Sequence, residues 1–237
     1  MNKKKKKMIF CGSILLVIAT AIIIGAAYSF FIKSDDARNS LTMGNQDIDL
    51  TEPNWDPSRS NLVTPGKTLI KDPTLIGREG KNYARLVVEF YDLDTGEKIT
   101  KVNRIEKIKE LMYYDKDYNK TGTPATINLN PNSTYSNAEL NSLINSQKIE
   151  KLCNSNDFVL DDSRSTDTKL VFKYKRVLNE SEEKVLFSNL VIPTDYTSSD
   201  LDLLGNFKIR VYAEAIQSEN IGSMDEAFRA LDGDNNG

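Results

Sequence analysis

The sequence predicts a mainly β protein, an antiparallel β-sandwich with a few short helices, preceded by an N-terminal signal helix. Three observations carry this expectation. Residues 83–91 read YARLVVEFY, dense in the aromatic and β-branched side chains that fit a pleated, half-buried surface. In residues 169–178 the apolar Leu170, Phe172 and Tyr174 alternate with Lys169, Lys173 and Lys175, the pattern of a strand with one buried and one wet face. Strand candidates also follow one another without regular helical crossovers, which favours a sandwich over a doubly wound parallel sheet.

The N-terminus comes first in the chain and reads as an export signal. Lys3–Lys7 form an unbroken basic run, an apolar stretch extends from Met8 to Ala27, and Ala27 and Ser29 flank Tyr28. Basic, apolar and small-x-small segments in that order are the parts of a secretory signal. Residues 1–29 are therefore expected to be the signal peptide, with cleavage at Ala27 or Ser29 and a mature chain starting near Phe30. The rival reading is a retained anchor, because Met8–Tyr28 is long enough to span a bilayer. Both readings keep the lysines inside and residues 30–237 outside, so the expected location is secreted and cell-surface associated.

The exported part divides into an N-terminal arm (30–45), a sandwich domain (46–231) and a polar tail (232–237). The arm opens on the apolar patch Phe30-Phe31-Ile32 and then turns polar. Residues 46–50 alternate as a strand, and 51–66 carry Pro53, Pro57, Pro65 and Gly66, a loop ending in a turn. KTLIK at 67–71 is a short strand candidate, and Asp94-Thr95-Gly96 is a turn after the strong strand. Ile105, Ile108, Leu111 and Met112 recur at helical spacing and predict a helix over 103–114. Ser136 with Glu139 forms a capping box that predicts a helix running to about Leu152. Strands are expected at 157–160, 169–178, 184–193 and 207–217, and a last helix at 223–231.

Composition narrows the chemistry. The chain of 237 residues has a formal net charge of -3, and the part beyond Lys3–Lys7 is more acidic still. An acidic body lacks the basic face that nucleic acid requires. Histidine is absent, which removes Ser-His-Asp and Cys-His pairs and any imidazole base or ligand. Once Cys11 leaves with the signal, Cys153 stands alone and reads as a structural cysteine. Asp161-Asp162-Ser163-Arg164-Ser165 fits a D-x-S-x-S adhesion motif, but that motif works on a doubly wound fold, so a polar loop is expected. Asp232–Gly237 starts like a calcium loop and lacks the carboxylate at position 12, so it reads as a frayed tail. No cofactor, metal site or catalytic set is expected, and the chain reads as a non-enzyme.

Several weak features occur in a characteristic order. They are the lysine-led signal ending in Gly-Ala-Ala-Tyr-Ser-Phe-Phe, Met43-Gly44 before QDIDL, Thr64-Pro65-Gly66 before KTLIKDP, the YARLVVEF strand, and FKIRVYAEAIQSENI before a Met-Asp-Glu-Ala-Phe helix. In this order the chain resembles the TasA/camelysin group of exported proteins of spore-forming Firmicutes, over about residues 1–90 and 184–231. The resemblance implies a jelly-roll sandwich, a signal cut by a SipW-type signal peptidase, and a role in biofilm-matrix fibres or pilus-like polymers. Related matrix proteins are further candidate partners. The metalloprotease-like activity described for camelysin is not carried over, because this sequence offers no histidine ligand and no metal-ligand cluster.

An open sandwich leaves sheet edges that pair with further strands. A neighbour's extended arm can fill such an edge by backbone hydrogen bonds, and head-to-tail contacts of this kind build filaments. The expected donor contacts are Phe30, Phe31, Ile32, Leu41 and Ile48 of the arm, inserted into the next copy. The alternative is that Ile48 and Leu50 belong to the chain's own first strand. The competing function classes are a monomeric adhesin or ligand-binding module and an exported protease.

Overall fold

The structure is a computed structural model that describes residues 32–36, 48–54, 64–118, 127–219 and 221–233. The signal segment, Ala27, Ser29, Phe30, Phe31, Leu41 and residues 234–237 lie outside the described residues. The described chain is mainly β, with three antiparallel sheets and four short helices. The strands are β1 (Ile32–Asp36), β2 (Ile48–Thr51), β3 (Thr68–Ile70), β4 (Thr74–Gly77), β5 (Asn82–Asp92), β6 (Met112–Asp115), β7 (Ile149–Lys151), β8 (Phe158–Leu160), β9 (Lys169–Tyr174), β10 (Glu183–Val185), β11 (Asn189–Val191) and β12 (Phe207–Gln217). The helices are α1 (Val102–Lys109), α2 (Asn137–Asn145), α3 (Ser198–Leu204) and α4 (Met224–Leu231). The five-stranded sheet runs β1-β12-β5-β9-β8; the others run β10-β4-β2 and β3-β11-β6-β7.

Alternation along the two longest strands sets the layering. On β5, Ala84, Leu86, Val88 and Phe90 enter the main core; on β12, Ile209, Val211, Ala213 and Ala215 do the same. Ile48 and Leu50 of β2, Leu75 of β4, Met112 of β6 and Leu190 of β11 join that core, so both smaller sheets and the inner face of the large sheet share it. Each fully buried side chain of this size contributes roughly 1.5–3 kcal/mol of transfer free energy. Val87, Val171 and Ile216 are also buried but stand apart from the main core, on the large sheet's other face. The closing turns use glycine where sterics demand it. Gly96 takes φ 74 in the turn after β5, and a Cβ on Gly77 would lie 2.0 Å from the Asn179 carbonyl oxygen.

The expected strands at 67–71, 83–91, 157–160, 169–178 and 207–217 are present, with the fourth ending at Tyr174. The Ser136–Glu139 capping box is made, but α2 ends at Asn145 and not near Leu152, because Gln147 takes φ 58 and Ile149–Lys151 pairs with β6. The helix expected over 103–114 ends at Lys109. Leu111 and Met112 are fully buried, and from Met112 the chain joins ladders with β11 and β7, so sheet pairing overrides the helical spacing. The segment 184–193 forms two strands in different sheets, β10 on β4 and β11 between β3 and β6. β4 and α3 were not expected; α3 carries its own capping box, Thr197 with Asp200.

Candidate assembly edge

β12 lies second from the edge of the five-stranded sheet. On one side it pairs with β5 along its full length, from Phe207↔Asp92 to Gln217↔Asn82. On the other it pairs with β1, from Ile32↔Ile216 to Asp36↔Tyr212. Ile32 of the expected arm is therefore an edge-strand residue, and its strand lies on the chain's own β12. The register sets Lys33 and Asp35 opposite Ala215 and Ala213, two residues on the core face of β12. A strand of sequence IKSDD brings no apolar residue to those two core-side positions. A strand of polar sequence paired through its backbone is the kind whose register is prone to slippage and exchange.

Ile48 is placed differently from the arm reading. It is 1% exposed in the main core, and β2 pairs with β4 through Ile48↔Gly77. The alternative of an own first strand describes Ile48 and Leu50, and the donor reading is corrected at Ile48: an apolar residue already buried at home is unavailable to a neighbour.

Behind this edge an ionic clasp fixes β12 to the rest of the sheet. Arg85 of β5 stands opposite Glu214 of β12, and its guanidinium donates to Glu214 (2.6 Å) and to Asp232 (2.7 Å). Arg164 donates to the other oxygen of Asp232 (2.6 Å) and to Asp161 (3.0 Å). The ring of Phe228, fully buried on α4, has the Arg85 guanidinium carbon 5.3 Å and that of Arg164 5.8 Å from its centroid. Burial raises the Asp232 carboxyl, but hydrogen bonds from Arg85 and Arg164 outweigh it and hold the group below the usual carboxylate range. Asp232, expected in a frayed tail, is thus the last link of the clasp. The 161–165 segment is a polar turn as expected: Asp161 accepts from Ser163 Oγ (2.6 Å) and from Arg164.

A second buried polar cluster lies at the start of β4. Lys71 pairs with Glu52 (2.5 Å), while Asp72 accepts from Asn54 Nδ2 (2.9 Å) and from the Tyr118 hydroxyl. Burial pushes the Asp72 carboxyl up despite these donors. Asp115 on β6 is saturated by the backbone N–H groups of Asp117, Asn128 and Leu129, which ties down the turn at 127–130. Cys153 is buried, and burial pushes its thiol up to about 11, so it is a neutral thiol at ordinary pH. No helix among the described residues is long and apolar enough to cross a membrane, and no group of three or more potential metal ligands gathers among them.

The carboxylates make stability pH-dependent in two directions. Burial raises Glu182, but hydrogen bonds from the Asn179 N–H, the Tyr174 hydroxyl and Lys184 bring its carboxyl from 4.5 down to about 2. A group lowered on folding stabilises the fold above its ordinary pKa, and that contribution disappears as pH falls through the folded value. Asp161, Asp232 and Glu89 are lowered as well, whereas Asp72 is raised and acts oppositely, its contribution fading as pH rises. The lowered groups outnumber it. Thermal unfolding is expected to show a plateau from neutral pH down to about 5 and a fall from there to about 2. Glu182→Gln should flatten part of that fall; an unchanged acid limb would show that Glu182 is not one of its causes.

Comparisons with protein-family models, with curated proteins and with solved structures find no match to this chain.

Proposed function

We propose that this protein is an exported, non-enzymatic structural subunit that polymerises outside the cell by strand complementation, the arm of one copy completing the sheet of the next. The observation that carries the reading is the pairing at β12, which takes Ile32–Asp36 as an edge strand by backbone ladder and leaves no apolar arm residue opposite Ala213 or Ala215. An identical segment of a second copy satisfies the same ladder, so exchanging it between copies costs little in new recognition. The strand begins only a few residues after the proposed cleavage site, so processing would set the arm's start at its free end. The resemblance to the TasA/camelysin group supports the same role, with a jelly-roll body, a SipW-type signal peptidase for maturation, and biofilm-matrix fibres as the product.

Electron microscopy of the exported protein, with N-terminal sequencing of the same sample, tests this. A start at Phe30 and filaments built of repeating globular subunits are expected. A chain that stays monomeric at all concentrations would replace the reading with that of a monomeric adhesin or ligand-binding module.

A further inference from the structure

The far end of the large sheet carries a cavity that the assembly reading does not use. It is an open depression of about 270 Å³ lined by Tyr91, Asp92, Leu93, Gly96, Lys208 and Arg210. Lys208 and Arg210 are two positions apart on β12, so they stand on one face of the sheet roughly 7 Å apart. In register, Lys208 faces Tyr91 and Arg210 faces Glu89 across to β5. Leu93 is 50% exposed, among the most exposed large apolar side chains described. Gly96 has no atom within 4 Å of where a Cβ would lie, so that wall stays open.

The local charge balance selects the ligand. Asp92 is engaged by Arg104 and by the N–H groups of Asp94 and Thr95. Glu89 is engaged by Lys98 (2.6 Å) and the Tyr91 hydroxyl (2.8 Å), and also lies in the field of Arg210 opposite it. Lys208 and Arg210 keep contacts of their own within the protein, yet among the lining residues they supply two positive charges against the single carboxylate of Asp92. The cavity opens on the face of the sheet, where side chains project and ladder groups do not. A peptide adding as a strand is therefore not its occupant.

We infer that this cavity binds a small oxyanion-bearing ligand with a flat or apolar body: a carboxylate held by Lys208 and Arg210, with the body against Tyr91 and Leu93. Acidic sugars and simple organic carboxylates share this chemistry. The inference does not depend on polymerisation.

The test is a titration of isotope-labelled protein followed by backbone amide shifts, with galacturonate, benzoate, methyl benzoate and inorganic phosphate as separate probes. Shifts at Leu93, Gly96, Lys208 and Arg210 are expected with galacturonate or benzoate and not with the uncharged ester. Binding of galacturonate identifies a saccharide site, and binding of benzoate alone a site for simple carboxylates. The double variant Lys208→Gln/Arg210→Gln should weaken binding about tenfold or more, the effect of losing charge-assisted hydrogen bonds. Tyr91→Leu should weaken the organic probes only. Phosphate binding as tightly as either carboxylate would overturn the role of the apolar wall. No shift with any probe, or equal binding by the double variant, would overturn the inference.

Discussion

Removing residues 30–41 is expected to abolish filament growth while leaving a folded monomer. The arm contributes β1, an edge strand whose partner is β12; among the described side chains, those of the main core run from Ile48 of β2 onward. Losing this five-residue edge strand leaves the β12–β5 ladder and the described core side chains in place. It does remove the segment that would pass from one copy to the next. Circular dichroism and denaturant unfolding should stay close to those of the intact chain, and micrographs should show no fibres. Filaments as abundant as those of the intact protein would reject the arm.

The second large effect is at the clasp. Arg85→Ala is expected to lower stability by about 3 kcal/mol, the cost of removing one partner from a mostly buried ionic set. Arg85 is 6% exposed, and its loss would strip Glu214 of its cross-strand cation and leave Asp232 with Arg164 alone. The Phe228 ring would also lose a cation from its face. Arg85→Ala and Asp232→Asn should be non-additive in a double-mutant cycle, because they act on one network. A loss below about 0.5 kcal/mol, the size of an exposed pair, would show that the clasp is not structural. The same substitution should weaken assembly, since Glu214 lies on the strand that accepts the arm.

Much of the β framework was legible because its cause is local. From Lys208 to Ala215 the residues of β12 alternate between outer and core face, and β5 carries a dense run of aromatic and β-branched side chains. The caps at Ser136 and Ser223 are equally local. The sequence reading failed where a distant partner decides. Leu111 and Met112 continue the helical spacing of Ile105 and Ile108, but the chain turns at Leu111 and pairing with β11 and β7 makes a strand from Met112. Thr74–Gly77 sits between Pro73 and Arg78, which hid a strand that β2 and β10 pair from both sides. The clasp left no signal at all, because Arg85, Arg164, Glu214 and Asp232 are scattered along the chain and meet only when α4 folds back on the sheet. The arm's apolar patch was visible, but no local pattern names β12 as the strand that Ile32 pairs with.

The most direct test of strand complementation uses two chains that both carry Cys153→Ala and gain one cysteine each, Asp36→Cys in one and Tyr212→Cys in the other, positions opposite each other in the β1–β12 register and outside the Arg85 clasp. Mixed under assembly conditions and oxidised, the two are expected to give disulfide-linked heterodimers that lengthen into cross-linked oligomers when both cysteines are placed in one chain. Cross-links confined to single chains, with no heterodimer from the mixture, would show that the arm never leaves its own sheet and would contradict the account.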